Sequence, residues 1–102
     1  MKRALLILFL SSCTNGDDEP SNFAACEDTA DAVVALYARC DLSTDAAMVR
    51  ADFFEGVGIA SCADVKAIRD VDALYQECLP DMTTAACDPF VLPEACMSQL
   101  LR

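Results

Sequence analysis

Seven cysteines in 102 residues, with no histidine anywhere, constrain this chain more than any other feature. They are Cys13, Cys26, Cys40, Cys62, Cys78, Cys87 and Cys96. A domain of about eighty residues gains little from burial over the entropy its chain loses, and cross-links usually supply the difference. Metal binding does not fit the pattern, because no C-x-x-C is present and no imidazole is available to complete a zinc set. The cysteines therefore read as a disulfide framework, which implies an oxidising compartment. An odd number leaves one sulfur without a partner. Cys13 stands apart from the other six, and they suffice for three bridges.

The segment around Cys13 accounts for the odd sulfur. Met1-Lys2-Arg3 is a positive start, Ala4 to Leu10 is an unbroken apolar run, and small Ser11 and Ser12 precede Cys13. The run is far too short to span a bilayer, which takes roughly twenty apolar residues. It has the order of an export signal, with a cleavage site behind it. Leu10-Ser11-Ser12-Cys13 resembles the lipobox of bacterial lipoproteins, over residues 1–13 only. The resemblance implies cleavage before Cys13, lipidation of Cys13 and attachment to a membrane of the cell envelope. Thr14 rather than Asp follows, which in many Gram-negative lipoproteins directs the protein to the outer membrane. An ordinary signal peptide is the other reading. Both remove residues 1–12 from the fold.

Residues 13–22 then form a lipidated cysteine and a tether. Asn15-Gly16 is a turn dipeptide, and Asp17-Asp18-Glu19-Pro20 is charged and ill-suited to a helix. Such a segment stays extended and solvated.

Charge excludes several classes of partner. The chain carries 17 Asp and Glu. Without Lys2 and Arg3, the basic residues facing them are Arg39, Arg50, Lys66, Arg69 and Arg102. Such a surface repels phosphate backbones, so no nucleic-acid partner is expected. The high apolar fraction, 55%, argues for a true core.

Residues 23–102 read as an all-α, disulfide-stapled bundle of three main helices with one or two short C-terminal helices. The first is expected over Phe23 to Cys40, where Cys26, Ala30, Val33, Tyr37 and Cys40 recur at steps of three or four. Fourteen residues return Cys40 to within about 40° of Cys26, so one face carries a cysteine at each end. The second runs from Asp45 to Glu55, capped by Ser43 or Thr44 and ended by Gly56. Gly56-Val57-Gly58 lacks the third glycine and the preceding strand of a phosphate loop, and is expected to be a helix stop. The third opens on Ser61 and Asp64, a capping box with Asp for the usual Glu, and ends at Leu79-Pro80. Val65, Ile68, Val71, Tyr75 and Cys78 give it an apolar side. Cys62 and Cys78 then lie roughly 160° apart on one helix, so either Cys62 bonds from the helix entrance or the helix kinks near Asp70. Asp81 is expected to cap a short helix reaching Cys87, and Pro93 to open a last helix, Glu94 to Leu101.

This layout predicts Cys40–Cys62, Cys26–Cys78 and Cys87–Cys96, with the first two stapling antiparallel helices at both ends. The rival pairing joins Cys78 to Cys96 and Cys26 to Cys87. The mature part is similar to small cysteine-rich predicted lipoproteins of myxobacteria-like Gram-negative bacteria, chiefly from Cys62 to Cys96 and its ending ACDPFVLPEAC. That group carries no activity across. Saposins share the size and the bridges, but Cys26-Glu27-Asp28-Thr29 does not supply their early C-x-x-C.

No catalytic residue is expected. Without histidine there is neither a Ser-His-Asp nor a Cys-His relay, and scattered carboxylates form no selected pair. Asp70 and Asp72 lack the glycine and remaining ligands of a calcium loop, and Tyr37 and Tyr75 fall on apolar faces. No metal and no cofactor are implied. What remains is a non-catalytic interaction or structural module of the envelope, or else a small lipid- or ligand-binding carrier. A protein partner would meet the outer side of the second helix or the segment Phe90-Val91-Leu92. The competing role for Phe90 and Leu92 is simply to close the core.

Overall fold

A computed structural model describes residues 20–88 and 91–102. Among the described residues the fold is all-α: three helices carry most of them, with two single 3-10 turns and one short strand pair outside the helices. None of the described helices is long and apolar enough to cross a membrane.

Helix α1 spans Asn22–Arg39. The Ser21 hydroxyl accepts from the Ala24 amide at its start, and Arg39 stands in its last turn. Ala25, Cys26, Thr29, Ala30, Val33 and Leu36 are buried along one side, the face the periodicity predicts. Tyr37 and Cys40, further along that face, are half-buried. The one polar member, Thr29, satisfies its hydroxyl by donating to the Ala25 carbonyl.

Helix α2 spans Ala46–Val57 and differs from expectation at both ends. Asp45 is itself the cap, accepting from the Met48 amide, while Ser43 accepts from Asp45. The helix passes through Gly56 and stops at Gly58, whose φ of 91° lies in the left-handed region. The two glycines therefore predict opposite effects. Gly56→Ala should stabilise by up to about 1 kcal/mol, since nothing lies near its missing Cβ and glycine is a poor helix former. Gly58→Ala should destabilise by about 1 kcal/mol or more. Urea midpoints of the two variants that move in the same direction would contradict this assignment of the stop.

The third helix is where the chain departs most from its apolar pattern. The Ser61–Asp64 capping box forms, but it opens only one 3-10 turn, Cys62–Asp64. Val65 is extended, and Ala67–Ile68 forms strand β1. A new start follows, with the Asp70 carboxylate accepting from the Ala73 amide. From there α3 runs over 71–82, as Val71–Ala73, a widened π turn Leu74–Cys78, and Leu79–Met82. Of the two alternatives, an entrance Cys62 or a kink near Asp70, the chain takes a stronger form of the second, a full break.

Pro80 does not end α3 as expected. In a regular α-helix its ring would meet the carbonyl of Gln76. The π turn immediately before it closes from the Leu79 amide to the Leu74 carbonyl and relieves that conflict. Asp81 lies inside the last turn rather than capping a new helix, and 83–86 is turn and irregular chain up to Cys87. The expected last helix is likewise replaced. Pro93 precedes a single 3-10 turn, Glu94–Cys96; Ser98 takes a left-handed φ of 58°, and Leu100–Leu101 forms strand β2. Strand β2 pairs antiparallel with β1, Ala67 opposite Leu101 and Ile68 opposite Leu100. Gln99 explains the change, since its buried amide accepts from the Asp70 backbone and donates to the Ala95 carbonyl, fixing the segment in extended form.

The bridges follow the path of the helices. α2 returns the chain to the start of α1, where Phe54, Val57 and Ile59 pack around Cys26 and Cys62. α3 begins from there and runs in the direction of α1. Tyr75 meets Asp28 early in α1, and the Met82 carbonyl meets Arg39 at its end. The antiparallel arrangement that predicts Cys26–Cys78 and Cys40–Cys62 is therefore absent. The bridges are Cys26–Cys62, Cys40–Cys87 and Cys78–Cys96. Cys87–Cys96 also fails, as does the rival Cys26–Cys87; of the rival set, Cys78–Cys96 is present. A larger core cluster gathers Ala25, Val33, Leu36, Val49, Leu74, Cys78 and Met82.

Candidate functional site

The flank of α2 beside buried Val49 and the C-terminal segment meet across one groove, whereas the outer side of α2 marked from the sequence does not line it. Its walls include Val33, Tyr37, Val49, Phe53, Leu92 and Met97, and its volume is about 320 Å³ among the described residues. Val49 is the one fully buried residue of α2. The helix therefore leaves much of its apolar content at the surface: Met48 is 48% exposed, and Phe53 and Phe54 are half-buried. On the facing segment Val91 is 65% and Met97 53% exposed. Leu92 is half-buried and packs on the larger core cluster, in keeping with the core role. Phe90 and Cys13 lie outside the described residues, as do Asp17, Asp18 and Glu19.

Away from the groove, two arginines tie separate elements together. Arg50 reaches from α2 to α1, donating to Glu27 at 2.8 Å and to Asp31 at 3.0 Å, with its guanidinium 5.3 Å from the centre of the Phe54 ring. Asp31 is largely exposed, so the pairs add little stability, up to about 1 kcal/mol each. Their effect is to fix the register of α2 on α1. Glu27 and Asp31 are four apart on one helix, which places two carboxylates on one side; that spacing is the signal that could have found the contact. Arg39 crosses from the end of α1 to donate to the Met82 and Ala85 carbonyls.

The remaining candidates resolve into structural parts. All six cysteines among the described residues are bridged. Asp70 caps α3, and Gly56-Val57-Gly58 is the end of α2. No group of three or more Cys, Asp or Glu that could hold a metal occurs among the described residues. Tyr75 is half-buried, and its hydroxyl donates to the Asp28 carboxylate. Burial, then that hydrogen bond and the carboxylate's charge, push its ionisation well above the ordinary tyrosine range. The unfolded chain loses this proton near pH 10, before the folded one does. Stability from this group is thus fully present below about pH 10 and is lost as pH rises further. Tyr75→Phe should flatten that alkaline fall. Equal slopes of urea midpoint between pH 9 and 11 in both proteins would contradict it.

Comparison with family models, with curated proteins and with solved structures finds no match for this chain.

Proposed function

We propose that this chain is a small lipid-anchored protein of the bacterial cell envelope, held at the outer membrane through Cys13, whose domain is a non-catalytic interaction module. The observation that carries the anchor is one of parity. The six cysteines at 26–96 close three bridges among themselves. Cys13 is then the odd sulfur, and it stands where a lipobox would put the acceptor. Several acyl chains on one cysteine make attachment practically permanent, at about 0.8 kcal/mol per buried CH₂. Intact-mass spectrometry of the protein from envelope membranes tests this. The expected chain begins at Cys13 and carries lipid; a different first residue, or an unmodified Cys13, would sink the anchor.

The module half of the reading rests on α2 and the segment facing it. Met48, Val91 and Met97 present flexible or branched apolar side chains to solvent, and Met97 lines the open groove, a composition suited to protein contact. Met48→Ser with Val91→Ser removes apolar surface without touching the core. A partner crosslinked in the envelope by the native lipidated protein should be lost from the double variant at unchanged thermal midpoint. A partner retained by the variant argues against this face.

A small-molecule carrier is the second reading, and the groove itself is what favours it. Its volume of about 320 Å³ is at the low end for ligand sites, and it is open to solvent. Native mass spectrometry of the purified domain showing a bound apolar molecule would move the assignment to a carrier.

A further inference from the structure

We propose that the Cys40–Cys87 bridge is a site of thiol–disulfide exchange, open to an external thiolate while the other two bridges remain closed. The three bridges differ sharply in access. Cys26 and Cys62 are 0% and 1% exposed, and both sit in the smaller core cluster. Cys78 is fully buried, with Cys96 half-buried beside it. Cys87 is exposed, alone among the described cysteines, and its partner Cys40 is half-buried. Exchange requires an incoming sulfur to reach a bonded sulfur from outside. Among the described cysteines, Cys87 offers the most open approach, while Cys40 and Cys96 are half-buried.

A fixed positive charge stands at the same sulfur. Arg39 Nη1 lies 3.8 Å from Cys87 Sγ. Its Nη2 donates to the Ala85 carbonyl at 2.8 Å and to the Met82 carbonyl at 3.2 Å, which holds the guanidinium in place. It attracts an anionic thiolate and stabilises a thiolate formed there. Asp41 and Asp88, next in sequence to the two cysteines, act the other way, but both are exposed and screened by solvent.

The chemistry balances with two equivalents of a thiol. A thiolate attacks Cys87 Sγ, the bridge breaks, and Cys40 departs as a thiolate that takes a proton from water. This leaves a mixed disulfide on Cys87. A second thiolate attacks the external sulfur of that mixed disulfide, and Cys87 departs as a thiolate beside Arg39. The products are one external disulfide and the reduced Cys40 and Cys87. The covalent tie between the end of α1 and the chain leaving α3 is then gone, while Cys26–Cys62 and Cys78–Cys96 still hold the rest. The ligand class is a thiolate, from a small thiol or from the reduced dithiol of a redox protein. Neither the anchor nor a docking partner is required.

The test treats the full chain with rising glutathione, blocks free thiols by alkylation at each step, and maps the peptides. Cys40 and Cys87 should label at thiol concentrations that leave the other four cysteines unlabelled, and the glutathione adduct should be found on Cys87. Labelling of Cys26–Cys62 or Cys78–Cys96 at the same or lower concentration would overturn the proposal, as would an adduct confined to Cys40. Arg39→Gln should slow the reaction by about fivefold, the effect of one unit charge near 4 Å in water, and Arg39→Lys should restore part of the rate. Unchanged rates in Arg39→Gln would remove the role of the guanidinium. A parallel arm with a reduced C-x-x-C oxidoreductase compares the sources at equal thiol concentration. Reaction with either supports exchange at this bridge; reaction with neither overturns it.

Discussion

Replacing Cys26 and Cys62 together by alanine is expected to cost about 4 kcal/mol and to leave the domain unfolded or barely folded near 37 °C. Their separation of 36 residues sets the first part of that cost, because the open chain regains the entropy that the closed loop denied it. Burial sets the second part. Both sulfurs are within the cluster of Ile59 and Val65, so two alanines also leave unfilled space. A domain of this size has roughly 5–15 kcal/mol in total, so the loss is a large share of it. Urea unfolding of the double variant, with the other bridges verified by peptide mapping, gives the measurement. A loss below about 1 kcal/mol would mean that the link between α2's end and α1's start is dispensable.

Leu74→Ala is expected to be the most damaging single substitution in the helices, at about 3 kcal/mol or more. Leu74 is 0% exposed in the larger core cluster, where Leu36 and Met82 are also buried. Its carbonyl accepts the π-turn bond from the Leu79 amide, which limits how far the backbone can move in to fill the space. In a domain this small each 1 kcal/mol lowers the thermal midpoint by about 4–8 °C, so a fall beyond about 12 °C should be seen by circular dichroism. Val71→Ala, half-buried on the same helix, serves as the comparison and should cost markedly less. Equal falls would show that α3 is not packed through Leu74.

What the sequence discloses here depends on whether a signal is local. α1 is legible nearly to the residue because its apolar face is continuous along eighteen residues and Arg39 stands in its last turn. The Ser61–Asp64 capping box is legible too, as a local exchange of hydrogen bonds. The break behind it is not. Val65, Ile68 and Val71 sit at helical steps whether or not the chain is helical, and what decides the matter is remote. The Lys66 and Arg69 amides donate to the Leu101 and Gln99 carbonyls, thirty or more residues away, and hold Ala67–Ile68 between them as a strand. The disulfide pairing failed for the same reason. That pairing requires the third helix to run antiparallel to α1, whereas a second start at Asp70 lets α3 run along it. The groove was legible only as two halves. α2 and the segment after Pro89 each stand out in the sequence, but the wall α2 contributes is the flank beside buried Val49 rather than its exposed side, and the meeting depends on Cys78–Cys96, which draws that segment back onto α3.

The place of Cys26–Cys62 also has a mechanical meaning. Any pull on the chain ahead of Ser21 enters the domain at the first turn of α1. It can unwind Asn22 to Ala25 and no further, because Cys26 passes the load through a covalent bond to Cys62, beyond the far end of α2. Hydrogen bonds that would otherwise open one after another along α1 are thereby kept out of the line of force. A domain hung by its N-terminal side from a moving surface would thus keep residues 27–61 out of the covalent path that carries the load onward from Cys62.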